Sequence, residues 1–109
     1  MASGRQRGID RERRVAFSLR AEGWTVVRAA GSLGVADLVA GKDGRTMLVE
    51  VKSTARGPFE HFPPADRIAL LEAAHAAGWE PWLCHWPAHG EQTWIAASEW
   101  PEHRGERSA

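Results

Sequence analysis

The chain predicts an α/β fold: a central mixed β-sheet of about five strands flanked by helices, in the order α-β-β-β-α-β-β. Three observations carry this. Two segments, one near Gly8–Glu22 and one at Ala65–Ala77, repeat apolar residues at helical spacing, and glycines at 23 and 78 stand where such helices stop. Between them Asp43-Gly44 separates two apolar runs, which is hairpin chemistry because glycine tolerates the positive φ that tight turns need. After the second helix, Glu80–Trp86 and Gln92–Ala96 read as two further strands, joined by the turn Pro87–Gly90.

In chain order, Met1–Gln6 has no periodicity and is expected to form a basic, mobile arm of a single domain, residues 1–109. On the first helix Ile9, Val15, Ala16 and Leu19 define an apolar stripe. Glu12 lies on that same stripe, three, four and seven residues before Val15, Ala16 and Leu19, where an unpartnered carboxylate is costly. Its neighbours one turn away are Gly8, Ile9, Val15 and Ala16, so any partner must be solvent or an arginine from elsewhere in the chain. Trp24–Arg28 reads as the first strand and runs into the small-residue loop Ala29–Ser32. Asp37–Gly41 and Arg45–Ser53 form the hairpin, and Thr54–Pro64 is a loop long enough to touch a substrate. In the second helix Ile68, Leu71, Ala74 and His75 are expected on one stripe. Ser98–Pro101 reads as a short turn, and 102–109 as a disordered polar tail.

Composition narrows the function classes. The single cysteine, Cys84, excludes an internal disulfide and suits a reducing compartment. No segment reaches membrane-span length and no signal-peptide core is present, so the expected location is cytoplasmic, or the host cytoplasm for a viral gene, with no membrane partner. Net charge is zero, but its distribution is not uniform. Residues 1–56 hold eleven Lys/Arg against six Asp/Glu, and residues 57–109 hold three against eight. A positive half can bind phosphates even in a neutral protein. Arg5, Arg7, Arg11, Arg13, Arg14, Arg28 and Arg56 in that half are the candidate DNA contacts. Of the six tryptophans, Trp24, Trp82 and Trp94 are expected in the core. Trp79, Trp86 and Trp100 lie at element ends, where a subunit interface or base stacking is open to them.

The chemistry concentrates between Gly31 and Lys52. A hairpin turning at Asp43-Gly44 brings Asp37 level with Glu50, and strand alternation points Glu50 and Lys52 to the same side. Two carboxylates beside an ammonium suit Mg²⁺, which is held by one or two carboxylates plus substrate phosphates, and hence metal-assisted phosphodiester hydrolysis. Cys84, His85 and His89 lack a second ligand cluster for structural zinc. Ser32 and Ser53 lack the histidine and aspartate of an activated serine.

The same residues resemble a family. Asp37 followed by Glu50-Val51-Lys52 is similar to the PD-(D/E)xK nuclease superfamily, with Ala36 in place of the usual proline. Arg7-Gly8-Ile9-Asp10-Arg11-Glu12-Arg13, then Gly23–Ser32, Asp37–Ala40 and Glu50–Lys52 resemble archaeal-type Holliday-junction resolvases, continuously from Arg7 to about Thr54. The resemblance implies a restriction-endonuclease-like core and a homodimer that cuts four-way junction DNA symmetrically in DNA recombination and repair. It implies Mg²⁺ at Glu12, Asp37, Glu50 and the Val51 carbonyl, with Mn²⁺ able to substitute. Lys52 would be the catalytic lysine, with Glu12, Asp37 and Glu50 completing the catalytic set. Arg13 would contact phosphate or support the site, and Ser32 would lie beside the scissile strand. The loop and second helix carry fewer basic residues than the family norm, with Asp66 and Glu72 among them. Two alternatives share the fold: a repair or restriction-like nuclease acting on another branched or duplex DNA, and a non-catalytic DNA-binding module.

Overall fold

The computed structural model describes residues 4–29, 35–87 and 90–102. Helix α1 spans Gly4–Ala21, followed by strands β1 (Thr25–Arg28), β2 (Leu38–Lys42) and β3 (Arg45–Ser53). Helix α2 (Pro64–Ala77), strands β4 (Glu80–Trp86) and β5 (Thr93–Ala96), and a short 3₁₀ turn at Ala97–Glu99 complete the described chain. The five strands form one sheet in sequence order, antiparallel except for the β3–β4 pair, which α2 connects as a crossover. The expected mixed sheet and element order are therefore found.

Local chemistry explains the boundaries. Asp43 and Gly44 both take positive φ, 50° and 79°, the signature of the two-residue turn that matches strand twist. Pro64 opens α2 at a position whose N–H no helical carbonyl needs, and Gly78 closes it in the left-handed conformation, φ 73°. One boundary differs from expectation. Helix α1 begins at Gly4, inside the segment read as a mobile arm, because Arg5, Gln6 and Arg7 are good helix formers and Gln6 Nε2 donates to Asp10 Oδ1 at 3.0 Å.

Alternation along the strands builds a layer on each face. On one side Leu38, Ala40, Met47, Val49 and Cys84 pack against Val15, Ala16 and Leu19 of α1. On the other, Leu48 and Leu83 pack with Leu70 and Ala74 of α2 and with Phe62, Ala97 and Trp100. Trp100, expected at an exposed element end, is fully buried, edge-on to Phe62 at 5.3 Å, with its Nε1 donating to the Ile95 carbonyl. Trp82 and Trp94, expected in the core, are only half-buried, because α1 lies across β1 to β3 and leaves the β4–β5 end of that face less covered.

The buried stripe of α2 is also rotated by one position from the expected one. Arg67, Leu70 and Ala74 face inward, while Ile68 is 43% exposed and His75 is exposed. A charged residue was the obstacle to that reading. Arg67 enters the protein because its guanidinium is fully engaged, donating to the Phe62 carbonyl and to both carboxylate oxygens of Glu102, at 2.6 and 2.5 Å. Glu102, placed by sequence in a disordered tail, is thus pinned to α2.

Candidate active site

The pairing of β2 with β3 ends with Leu38 against Val49, and one residue further Asp37 comes beside Glu50, the two carboxyl groups within hydrogen-bonding reach. The pairing extends to Asp37 itself, whose N–H donates to the Val49 carbonyl at 2.9 Å while its carbonyl accepts from Ala29 at 2.8 Å. Its side chain is oriented by the Val51 N–H, which donates to Asp37 Oδ2 at 2.8 Å. Glu50 and Lys52 follow Leu48 on the same strand face, beyond the point where the α2-side core ends. Together these groups open into a cleft of about 280 Å³ that Gly8, Arg11, Glu12, Ser53, Thr54 and His61 also line.

The electrostatics are those of crowded like charges. The Glu50 carboxyl is pushed up to about 9, first by burial, then by its hydrogen bond to Asp37 and the charges of Asp37 and Glu12, with Lys52 opposing. The Glu12 carboxyl is also raised, by burial first and then by Asp37, with Arg28 opposing. A hard divalent cation fits this arrangement. It would offset the crowded charge of Asp37 and Glu50, and Mg²⁺ needs no more than one or two protein carboxylates beside water and phosphate oxygens. Among the described residues no three His, Cys, Asp or Glu side chains converge into a complete shell, so the remaining ligands would come from the Val51 carbonyl, water and substrate.

Glu12 lies beside the pair rather than within it. The partner that its place on the apolar stripe demands is Arg28 of β1, 3.5 Å away. Arg28, a candidate DNA contact by sequence, is therefore engaged with Glu12, and its Nε is buried with no hydrogen-bond partner among the described residues. Arg11 lines the cleft, whereas Arg13 and Arg14 are exposed on the adjoining turn of α1. Arg56 is exposed on the loop after β3, where its backbone N–H donates to Glu60 Oε2. Ser32 and the side chains of Arg5 and Arg7 lie outside the described residues.

Sequence reasoning passed over the device that shapes the cleft's far wall. The Thr54 hydroxyl donates to the Gly57 carbonyl, and the same oxygen sits 3.0 Å from His85 Nε2, which is also 3.1 Å from the Thr54 carbonyl. With its proton committed to Gly57, Thr54 accepts from His85. The buried imidazole of β4 thereby anchors the loop that carries His61 to the cleft. A histidine inside the apolar run Trp82–Trp86 was the available signal, but His85 was weighed only as a zinc ligand and set aside.

The five-stranded mixed sheet with one helix on each face is similar in fold to the solved Archaeoglobus fulgidus Hjc, described as a Holliday junction resolvase from an archaeal hyperthermophile. The TM-score is 0.71 over 80% of this chain and 73% of that one, at 22% identity, a likeness of fold. The family model for archaeal Holliday junction resolvase (Hjc) matches residues 3–103, and the chain belongs to that family. The crossover junction endodeoxyribonuclease Hjc of Methanocaldococcus jannaschii is 33% identical over 78 residues, 72% of this chain and 57% of that relative's length.

Proposed function

We propose that the protein is a Mg²⁺-dependent endonuclease that resolves four-way DNA junctions by paired, symmetric phosphodiester hydrolysis as a homodimer, in the cytoplasm. The observation that carries this is the single cleft in which Asp37, Glu50 and Lys52 meet with Glu12 at their side, in a chain of the resolvase family. A divalent ion held by Asp37, Glu50 and the Val51 carbonyl, with Mn²⁺ able to replace Mg²⁺, would polarise the phosphoryl group and acidify a bound water. Asp37 is kept in its ligating orientation by the Val51 N–H. Lys52, on the strand face shared with Glu50, balances the negative charge that grows on the phosphate and can hold the attacking water. Glu12 adds negative charge beside the pair and is held in place by Arg28. Arg11, at the rim, neutralises a neighbouring phosphate, with Arg13 and Arg14 extending the positive surface. Two opposed cuts in a roughly two-fold substrate call for two such clefts, and the described residues of one chain hold one, which favours a two-fold dimer.

The deciding experiment incubates the protein with Mg²⁺ and either a four-way junction or a linear duplex of equal length. Paired nicks in the junction alone are expected. Equal cutting of both, or none of either, would refute junction resolution. Sedimentation at micromolar concentration is expected to give a dimer, and DNA binding should weaken steeply with salt as phosphate contacts release counterions.

A further inference from the structure

Away from the carboxylates, α1 carries an unexplained aromatic. Phe17 is 75% exposed, the most exposed large apolar side chain among the described residues. It lies one turn beyond Arg13 and Arg14, on the same helical stripe. The Arg14 guanidinium is 6.0 Å from the centre of the Trp86 ring, at the end of β4. Two hollows meet at this pair. One, of about 380 Å³, lies between Arg11, Arg14, Ser53 and Trp86, with Asp10, which accepts from Gln6, at its edge; the other, of about 340 Å³, lies between Arg13, Arg14, Phe17, Trp86 and Gln92. Arg11 and Ser53 also line the carboxylate cleft, so the groove is continuous with it. Past Gln92 the lining turns acidic, with Glu22 and Glu91, and the basic stretch ends there.

We infer that this groove is a binding site for unpaired DNA: it takes the strand leaving the scissile phosphate and stacks one of its bases on Phe17. The inference rests on the nuclease reading of the neighbouring cleft. Arginines alternating with aromatic faces form the surface that single-stranded nucleic acid requires, cations for the backbone and rings for the bases. A ring on the outside of a helix reaches the face of a base only where that base is not stacked in duplex, as at a branch point. Arg11 and Phe17 are six residues apart, roughly 9 Å along the helix. At 3.4 Å per stacked nucleotide, that span covers roughly three nucleotides. The groove thus supplies a reason for selecting branched DNA that the carboxylates cannot, since they act on a phosphate common to every duplex. Among the described residues no carboxylate lines the Phe17 hollow, which suits a phosphate backbone passing beside the ring.

The test places 2-aminopurine singly at each of the four nucleotides on either side of the cleaved bond of a four-way junction, and titrates wild type, Phe17→Ala and Phe17→Trp in EDTA. With wild type, one position within about three nucleotides should change strongly in fluorescence. Phe17→Ala should abolish that change and weaken junction binding about tenfold, the value of one stacked base, while Phe17→Trp restores both. Equal affinity and equal fluorescence for wild type and Phe17→Ala would overturn the inference while leaving the nuclease reading intact. So would a Phe17→Ala protein that sediments as a smaller species than wild type, since Phe17 would then be a self-association contact. Failure of wild type to bind or cut any junction would instead sink the nuclease reading, and this inference with it.

Discussion

Two ionic groups of this molecule are built on opposite principles. At the open end of β3, Asp37 and Glu50 bring like charges together, and the Glu50 carboxyl is driven far up its scale. Beside α2, Arg67 meets Glu102 in a two-pronged pair that also satisfies the Phe62 carbonyl, and the Glu102 carboxyl is lowered, chiefly by its hydrogen bonds to Arg67. The second arrangement is complete as it stands and contributes to stability. The first is incomplete, and its crowded carboxylates would favour taking up a cation. Sites that do chemistry are often the places where stability is sacrificed.

Neutralising one member of the incomplete pair should separate activity from stability. Glu50→Gln is expected to lower junction cutting by about 10²–10³-fold, the scale of losing one major electrostatic group in a site. Its thermal midpoint should equal or exceed that of wild type at neutral pH, because wild type must take up a proton at Glu50 on folding and the amide need not. Added Mg²⁺ should raise the midpoint of wild type and leave that of Glu50→Gln nearly unchanged, as follows when ligand binds only the native, intact site. A variant that lost activity and also lost stability would mean that Glu50 has a structural role instead.

Breaking the complete pair should do the reverse. Arg67→Met strands the Phe62 carbonyl and leaves Glu102 without its partner, and a loss of about 2–4 kcal/mol in stability is expected by denaturant titration. Cutting by the protein that remains folded should be close to normal. Preserved stability would show that the pair is replaceable by packing alone.

The two regions should also answer pH with opposite signs. Glu50 has a folded-state pKa above its unfolded one, so the native state binds the extra proton. Its contribution is full below about 4.5 and is lost as pH rises towards about 9. Glu102 has a folded-state pKa below its unfolded one, so its contribution is present above the unfolded value and is lost on acidification. In EDTA, stability should fall on both sides of a mid-range maximum. Glu50→Gln should flatten the alkaline limb alone and Glu102→Gln the acid limb alone. The same limb flattened by both variants would contradict the contrast.

The smallest effect is expected at the surface. Arg45 and Glu80 make a two-pronged pair, at 2.9 and 2.8 Å, but both are well exposed. Exposed pairs gain little over their interactions with water. Arg45→Ala should change neither cutting nor the thermal midpoint measurably.

By itself, the sequence determined what short-range chemistry determines. Asp43-Gly44 specified the turn, the turn and the strand period brought Asp37 beside Glu50, and Gly78 ended α2. The carboxylate pair was legible because its members are joined by one hairpin, whose geometry follows from local backbone preference. Glu12 was legible as a carboxylate out of place, but its partner was not. Arg28 comes from another element, and nothing local distinguishes it from the arginines left for DNA. The same limit hid Arg67, whose charge argued for solvent until Glu102, 35 residues later in the chain, supplied an acceptor. It also hid Trp100, whose burial depends on Phe62 beneath it. Helix and strand periods say which residues share a face. Whether a charge on that face can be buried, or a tryptophan at an end covered, depends on groups brought together only when α1, α2 and the sheet have packed.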